Sequence, residues 1–411
     1  MRASNAPKEQ LALRSFSKTH KAESGFANLF ARSDASALAP PLLQPLPPQE
    51  PLNSVSPMLT KAELQSLSAN TATCILQARK PSRELARPLF NTLFQAYNAK
   101  LAHTDLAHSE RTEQFISKQG LTQTPEYDSQ ILPDPLHLSS YIRAIDKAII
   151  ALLGSGQETL FIAYPACGPL APLLLPLLSH YQGQGITGQQ LRITLINQHP
   201  EVIASLHRLL SELELQEYVQ QMYCGDPCSY NAPMLFDLVI LELMPLDSNC
   251  KKQFNIAHHF AQQLSTNGYL IPQQVDIYAV MQAAQASDAH VHTDLGVVLS
   301  LTAQKLRNLT QSKLKQEQPL CTQTLTLPIL SKQNPQYLLE LYPYISLFAD
   351  EALGFNGTEE TLPLADLKVY IDHIPSTIQT NMILANSGDT LTFYYDFGAA
   401  PGFRVSKSQS K

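Results

Sequence analysis

The chain has 411 residues, of which 44% are hydrophobic and only 16% are charged, with a formal net charge of -6. This length suits two to three domains with a sizeable core, and the lack of a basic run argues against a nucleic-acid-binding protein. Every long apolar run contains proline, and no apolar segment at the N-terminus precedes a small-residue cleavage site. We therefore expect a cytoplasmic protein with no membrane partner, with an organelle transit peptide in the basic residues 1–33 as the alternative.

The first 153 residues divide into a tail and a helical region. Seven prolines lie between Pro40 and Pro57, so residues 1–57 are predicted to be a disordered Pro-rich tail. Residues 58–153 show helical periodicity. One helix is expected around Leu89, Leu93, Tyr97 and Leu101, which are spaced four apart. A second is expected from a cap at Ser139 or Ser140 up to Gly154.

Residues 154–282 alternate between apolar strands and amphipathic helices, which predicts an α/β domain with a parallel, doubly wound sheet. The strand at residues 159–164 is expected to lead through a Cys-Gly-Pro turn directly into a helix. Two further strands are expected at residues 191–198 and 236–243, with Pro200 beginning the helix between them. Asn267-Gly268 predicts a turn before a last strand. Residues 283–411 carry short β-like runs, so we expect a mostly β domain, a barrel or a sandwich.

Four polar or small residues stand in order along this domain: Gly168 in the turn after the first strand, Asn197 at the end of the second, Asp226 in a loop, and Glu242 at the end of the third apolar strand. Parallel sheets bind ligands at the carboxyl ends of their strands, so these residues are candidates for a ligand site. Each of the first three also has a purely structural interpretation. Gly168 and Asp226 suit turns, and Asn197 suits the start of a helix. Glu242 is the most informative, because an acid that closes a buried strand needs a partner or solvent.

Five segments, taken in order, resemble class I S-adenosylmethionine-dependent methyltransferases, and within them the symmetric-dimethylating branch of the protein arginine N-methyltransferases. "DPLHLSSYIRAI" is similar to a helix that covers the cofactor in that family, "CGPLAPLL" to its glycine loop, and "LINQHPEVIASL" to the segment that ends its second strand. "FDLVILELMP" resembles the segment with the first glutamate of a substrate clamp, and "LSTNGYLIPQQVDIYAV" a segment with Ile-Pro. The resemblance implies a Rossmann-like methyltransferase sheet with an N-terminal helical segment, a mostly β C-terminal domain and a dimer.

The resemblance also implies roles for individual residues. S-adenosylmethionine is expected to contact the loop and strand-end residues Tyr164, Cys167, Gly168, Pro169, Asn197 and Asp226. The expected catalytic residues are Glu242 beside the nucleophile, Tyr141 closing the cleft, and His373 from the β domain. Three departures from the family pattern favour an inactive protein, and the last of them also argues against arginine methylation. Tyr164 and Ala166 occupy glycine positions, Asn197 replaces a ribose-binding acid, and Lys251 stands where the second clamp glutamate belongs.

Two functions from different classes remain in view. The first is a methyltransferase acting on a nucleophile of a protein, peptide or small molecule other than a standard arginine site. The second is a catalytically inactive methyltransferase fold that serves as a scaffold or binding module. A different nucleotide-using enzyme is a third option, against which the lack of a Gly-x-x-x-x-Gly-Lys motif argues.

The cysteines and histidines do not predict a metal site. Cys224 and Cys228 lie four apart without a second pair, which favours reduced, mostly buried thiols. His290, His292 and Asp294 share a predicted strand face, but a solvated edge is the better interpretation because no fourth ligand is evident.

Overall fold

The computed structural model describes residues 59–80, 82–101, 115–117, 120–122, 134–242, 250–283, 292–309, 320–329, 337–354, 367–374, 382–396 and 402–408. The predicted Pro-rich tail, residues 1–57, lies outside these ranges. None of the helices in the described ranges has the length and apolarity that crossing a membrane requires.

Three helices precede the sheet: α1 (Lys61–Gln77), α2 (Arg83–Leu101) and α3 (Pro135–Gly154). Short strands β1 (Phe115–Ser117) and β2 (Gly120–Thr122) pair between α2 and α3, although the sequence predicted only helices there.

Helix α3 begins earlier than predicted. Asp134 caps it by accepting a hydrogen bond from the backbone N–H of Leu136, and Pro135 occupies the first turn. The predicted caps, Ser139 and Ser140, are buried inside the helix. The helix begins at Asp-Pro rather than at the serines because proline lacks an N–H and has a helical φ, which suits the first helical position. The early start adds a turn that carries His137.

The central sheet consists of five parallel strands: β3 (Leu160–Pro165), β4 (Leu191–Asn197), β5 (Val219–Cys224), β6 (Phe236–Ile240) and β7 (Leu264–Ile271). Their order is β5-β4-β3-β6-β7, and all four neighbouring pairs are parallel. Three helices connect them: α4 (Leu175–Gly183), α5 (Pro200–Glu212) and α6 (Cys250–Ala261). The predicted α/β fold class is confirmed.

Three local predictions in this domain are wrong. Helix α4 does not follow the Cys-Gly-Pro turn directly but begins at Leu175, because prolines at 169 and 172 occupy the intervening turns. Asn267-Gly268 lies inside β7 rather than in a turn. Strand β5 was not predicted, since it is a sheet-edge strand whose burial pattern is mostly exposed or intermediate and which lacks a continuous apolar run.

The C-terminal region is mostly β. Its strands are β8 (Gln274–Ala283), β9 (His292–Thr302), β10 (Leu320–Thr326), β11 (Tyr337–Phe348), β12 (Glu351–Gly354), β13 (Lys368–Ile371), β14 (Met382–Ala385), β15 (Thr390–Asp396) and β16 (Gly402–Ser408). One sheet has the strand order β14-β13-β11-β8-β9, with β12 paired to β11, and a second has the order β10-β15-β16. A short helix α7 (Ala303–Asn308) follows β9. This agrees with the predicted mostly β character.

Helix α3 joins the helical region to the β region through an ion-pair network centred on the buried Glu351. Arg143 donates from Nε to Oε1 of Glu351 at 2.8 Å and from a guanidinium nitrogen to the carbonyl oxygen of Ala78 at 2.5 Å. Lys147 also donates to Glu351 and pairs with Asp350. The same helix also contacts β3, β6 and β7 of the central sheet, so it packs against both the central sheet and the β region.

Candidate functional site

Four strand ends meet at the carboxyl edge of the central sheet. Asp226 follows β5, Asn197 ends β4, Tyr164 lies near the end of β3, and Glu242 follows β6. The chain connects β3 to one side of the sheet and β6 to the other. The space between these two strands is therefore the topological switch point, where sheets of this kind hold their ligands.

A hydrogen bond bridges this switch point. The Tyr164 hydroxyl donates to Oε1 of Glu242 at 2.6 Å, which joins the ends of β3 and β6. Tyr164 is buried, whereas 35% of the Glu242 side chain is exposed. Glu242 thus has one oxygen tied to the protein interior and remains open to solvent on one side, as a residue that meets a substrate must be.

Helix α3 covers the same carboxylate from above. Nε2 of His137 lies 3.8 Å from Oε2 of Glu242, and the His137 ring stacks on Tyr141 with centroids 4.5 Å apart. The Tyr141 hydroxyl donates to the backbone carbonyl oxygen of Leu241 at 3.1 Å. Two of the predicted catalytic residues, Glu242 and Tyr141, therefore lie in one cluster with Tyr164.

His137 is the member of this cluster that the sequence interpretation missed. It precedes Tyr141 by four residues, so on a helix the two must share a face. The early start of α3 at the Asp-Pro pair was the signal that would have placed His137 inside the helix.

One non-glycine residue of the loop after β3 has a backbone conformation that is typical of glycine. Ala166 has a φ of 56°, a left-handed conformation that glycine adopts without strain. Gly168 has no such φ, and a Cβ added to it would meet nothing within 4 Å. Its carbonyl accepts from Ala171 N–H in a turn that contains buried Pro169. Gly168 is therefore not required by packing, and the space beside its backbone is open.

The side chain of Asn197 holds this loop and the start of α5. Its amide nitrogen donates to the carbonyl oxygen of Cys167 at 2.7 Å, and its Oδ1 accepts from the backbone N–H of His199 at 2.8 Å. This is the structural role that the sequence left open for Asn197. A carboxamide still retains a second N–H and a second lone pair.

Asp226 also makes a local contact. Its Oδ1 accepts from the backbone N–H of Cys228 at 2.9 Å, which caps a single 3-10 turn. The neighbouring Gly225 N–H donates to the carbonyl oxygen of Asn197, so the two loops are attached side by side. The carboxylate has two oxygens and can accept further bonds.

Burial keeps two groups beside Glu242 protonated. Burial raises the pKa of the Tyr164 phenol well above its usual value, and the Glu242 charge and hydrogen bond raise it further, since ionisation would remove the donor. Burial likewise raises the pKa of the Cys167 thiol to about 12. Tyr164 is therefore a constant hydrogen-bond donor to Glu242, and Cys167 is not a nucleophile at neutral pH.

Other predicted residues are placed elsewhere or lie outside the described ranges. His373 makes its described contacts within its own segment, to the carbonyl oxygen of Ile371 and the ring of Tyr370, and within the described part of the chain nothing joins it to Glu242. His290 and the side chains of Lys251 and His292 are outside the described ranges. The residues that are described contain no group of three or more metal-binding side chains.

The four cysteines whose side chains are described have free thiols, and these four are not mostly buried as predicted. Cys167 is buried, Cys228 is partly buried, and Cys74 and Cys224 are exposed.

No protein-family model and no curated protein matches this chain. Among solved structures, it is similar to the PRMT1 enzyme-prozyme heterotetrameric complex of Trypanosoma brucei with AdoHcy. The sequence identity is 8%, the TM-score is 0.38, and the match covers 66% of this chain and 94% of that one.

A second similar structure is protein arginine methyltransferase 10 of Arabidopsis thaliana, described in a uniquely open conformation. The sequence identity is 9%, the TM-score is 0.36, and the match covers 65% of this chain and 93% of that one. Both structures are of arginine methyltransferases, the family that the sequence motifs resemble. At these values the similarity carries no argument about the site or its activity.

Proposed function

We propose that the chain is an S-adenosylmethionine-dependent methyltransferase that resembles the arginine methyltransferases but acts on a nucleophile of a protein, peptide or small molecule other than a standard arginine site. The observation that carries the proposal is the position of Glu242. Its carboxylate lies at the switch point of a parallel sheet, accepts a hydrogen bond from buried Tyr164 and remains partly open to solvent. A carboxylate in this setting suits contact with a substrate.

The loop residues are compatible with a bound cofactor. Open space beside Gly168 allows a ligand to approach the backbone closely. Asn197 can offer its remaining N–H and lone pair to ribose hydroxyls, although without the charge of the acid expected there. Asp226 lies beside Asn197 at the same edge and can accept from an amino group such as that of adenine.

The chemistry assigned to the protein is positioning and proton removal. The cofactor would supply a methyl group bonded to a sulfonium sulfur, which would leave as a neutral thioether when the methyl group is transferred. Glu242 orients the nucleophile by accepting its hydrogen bond and takes its proton as the new bond forms. Tyr164 keeps the carboxylate in place, and Tyr141 attaches α3 to the backbone beside it.

A catalytically inactive module is the second candidate, and specific observations favour it. The Tyr164 side chain occupies a position where the family has a glycine, and one N–H and one lone pair of the Asn197 amide are already used within the protein. The family's second clamp glutamate is replaced by Lys251. These changes weaken cofactor binding and the holding of a guanidinium, so they argue most strongly against standard arginine methylation.

Calorimetric titration with S-adenosylmethionine and S-adenosylhomocysteine tests the proposal, using Gly168→Ala as the informative variant. The added methyl group meets no protein atom and the backbone is not left-handed, so the fold should be unaffected. If the cofactor lies against Gly168, its affinity should fall at least about tenfold, equivalent to about 1.4 kcal/mol. Gly183→Ala is the matched control, since a Cβ there also meets nothing within 4 Å.

The outcomes separate the two candidates. Micromolar binding that Gly168→Ala weakens and Gly183→Ala does not supports the cofactor site. Glu242→Gln should then keep the cofactor affinity and lose methyl transfer from labelled cofactor to a cell extract. If neither ligand binds at about 1 mM, the binding free energy is weaker than about 4 kcal/mol. That result would contradict the proposed enzyme and leave the catalytically inactive module.

A further inference from the structure

Strand β8 of the six-stranded C-terminal sheet has one apolar face and one mixed face. Its successive residues alternate between them, because side chains of a strand point to opposite sides. Val275, Ile277 and Ala279 are buried in the core. The other face presents Gln274, Asp276, Tyr278, buried Val280 and Gln282, and β11 places Tyr344 opposite Asp276, Tyr342 opposite Tyr278 and Glu340 opposite Val280.

Asp276 is buried without full hydrogen bonding. The residue is only 6% exposed. Its Oδ2 accepts a hydrogen bond from the side-chain amide of Gln274 at 2.7 Å, whereas its buried Oδ1 has no hydrogen-bond partner among the residues that the structure describes. A buried acceptor without a donor is destabilising, and more so when it belongs to a charged group. Such an oxygen is suited to a donor from outside the chain.

Two tyrosine rings form a corner beside this carboxylate. Tyr344 lies directly opposite Asp276 on the neighbouring strand, and Tyr278 follows Asp276 by two residues on the same face. Their centroids are 6.5 Å apart and their planes meet at 84°. Both residues are partly exposed. The carboxylates of Asp276 and Asp294 are close enough to add to the effect of burial in raising the pKa of Tyr278.

Among the described residues, no basic side chain forms an ion pair with the carboxylates at this corner. Within the described ranges, the ion pairs observed involve neither Asp276 nor Asp294, and Oδ1 of Asp294 accepts from the backbone N–H of Gly296. Glu340, on the same face, differs in having partners. It pairs with Lys368 at 3.4 Å and accepts from Gln282 at 2.6 Å. A cation is therefore favoured beside Asp276 rather than beside Glu340.

We propose that Asp276, Tyr278 and Tyr344 form a binding site for an organic cation that carries N–H groups, a primary ammonium or a guanidinium. Aromatic faces attract organic cations, and the carboxylate supplies the opposite charge. The N–H is required because Oδ1 of Asp276 needs a donor, which a quaternary ammonium lacks. This site is independent of the proposed function at the central sheet.

Binding requires a small rearrangement. Oδ1 is closed off from solvent, so the ligand must displace a neighbouring side chain to reach it. The partly exposed ring of Tyr344 is the candidate, since side chains at the surface change rotamer readily.

The test is titration of the full chain with n-butylammonium, ethylguanidinium and tetramethylammonium. Binding is measured by calorimetry and by NMR of ring-labelled tyrosine. The first two cations should bind, and tetramethylammonium should bind about tenfold more weakly because it cannot donate to Oδ1. Asp276→Asn should weaken binding about tenfold or more, and so should Tyr344→Leu, whereas Tyr344→Phe keeps the ring and should retain most of the affinity.

Two controls keep the test specific. Glu340→Gln removes a buried carboxylate on the same face that already has partners, and Glu242→Gln alters only the central sheet, so both should bind the cations as the unaltered chain does. Titration with a peptide that contains one arginine identifies the source of the cation. Tighter binding of the peptide than of n-butylammonium indicates a side chain of a protein partner, and the reverse indicates a free amine. The proposal is overturned by no binding at about 10 mM, or by equal affinity for all three cations with no effect of Asp276→Asn and Tyr344→Leu.

Discussion

Replacing Tyr164 by phenylalanine tests the hydrogen bond that joins β3 to β6. The substitution removes one oxygen from a buried side chain and leaves the ring, so no cavity of consequence forms. A hydrogen bond to a charged group contributes about 1.5–3 kcal/mol. Because 35% of the Glu242 side chain is exposed and water can replace part of the bond, we expect a loss of about 1–2 kcal/mol in the free energy of unfolding.

The charge of Glu242 should account for about half of this loss. In a Glu242→Gln background, Tyr164→Phe should cost about half as much, since charge-assisted hydrogen bonds are roughly twice as strong as neutral ones. Urea unfolding of the two single variants and the double variant measures both values, with unchanged m-values as the check on two-state behaviour. Tyr141→Phe is the control, because its hydroxyl donates to a backbone carbonyl and its loss should be equal in both backgrounds.

The reasoning would be refuted if Tyr164→Phe cost less than about 0.5 kcal/mol, the level of an ordinary surface substitution. An equal loss in both backgrounds would show that the hydroxyl does not interact with the charge of Glu242.

Two further predictions concern burial elsewhere in the chain. Glu351→Ala should cost about 3–5 kcal/mol in urea unfolding, because it leaves a buried arginine without its partner, whereas Asp350→Ala should change stability by less than about 0.5 kcal/mol, since its side chain is 80% exposed. Equal losses would show that burial does not govern this network. Maleimide at about pH 8 should label Cys224 in the folded protein and Cys167 only after addition of denaturant, as read by mass spectrometry of the peptides. Labelling of Cys167 at the rate of Cys224 would contradict its burial.

The sequence alone was sufficient for the class of fold and for the edge at which the site lies. Apolar runs that alternate with amphipathic segments predicted the parallel sheet, because hydrophobic periodicity reports which face of each element is buried. The positions of Asn197 and Glu242 at the ends of two predicted strands indicated that they would meet at one edge, since parallel strands share their carboxyl ends. Asp226 was expected there only as a loop acid in the right order, because β5 was not predicted.

Local features failed where a stronger neighbour or an edge position decided the outcome. Proline at 135 set the start of α3, and prolines at 169 and 172 delayed α4, although the apolar pattern was continuous with the helix. Strand β5 has too few buried positions to show a pattern, because it pairs on one side only.

Only the tertiary structure decided how the site residues are used. Tyr164 and Glu242 are 78 residues apart, and their hydrogen bond exists because the sheet places β3 beside β6. The Asn197 amide turned toward the Cys167 carbonyl for the same reason, since β3 and β4 are neighbours. Periodicity describes which face of an element is buried, but the partner of a polar side chain depends on which elements become adjacent in three dimensions, and that is determined by the packing of the whole chain.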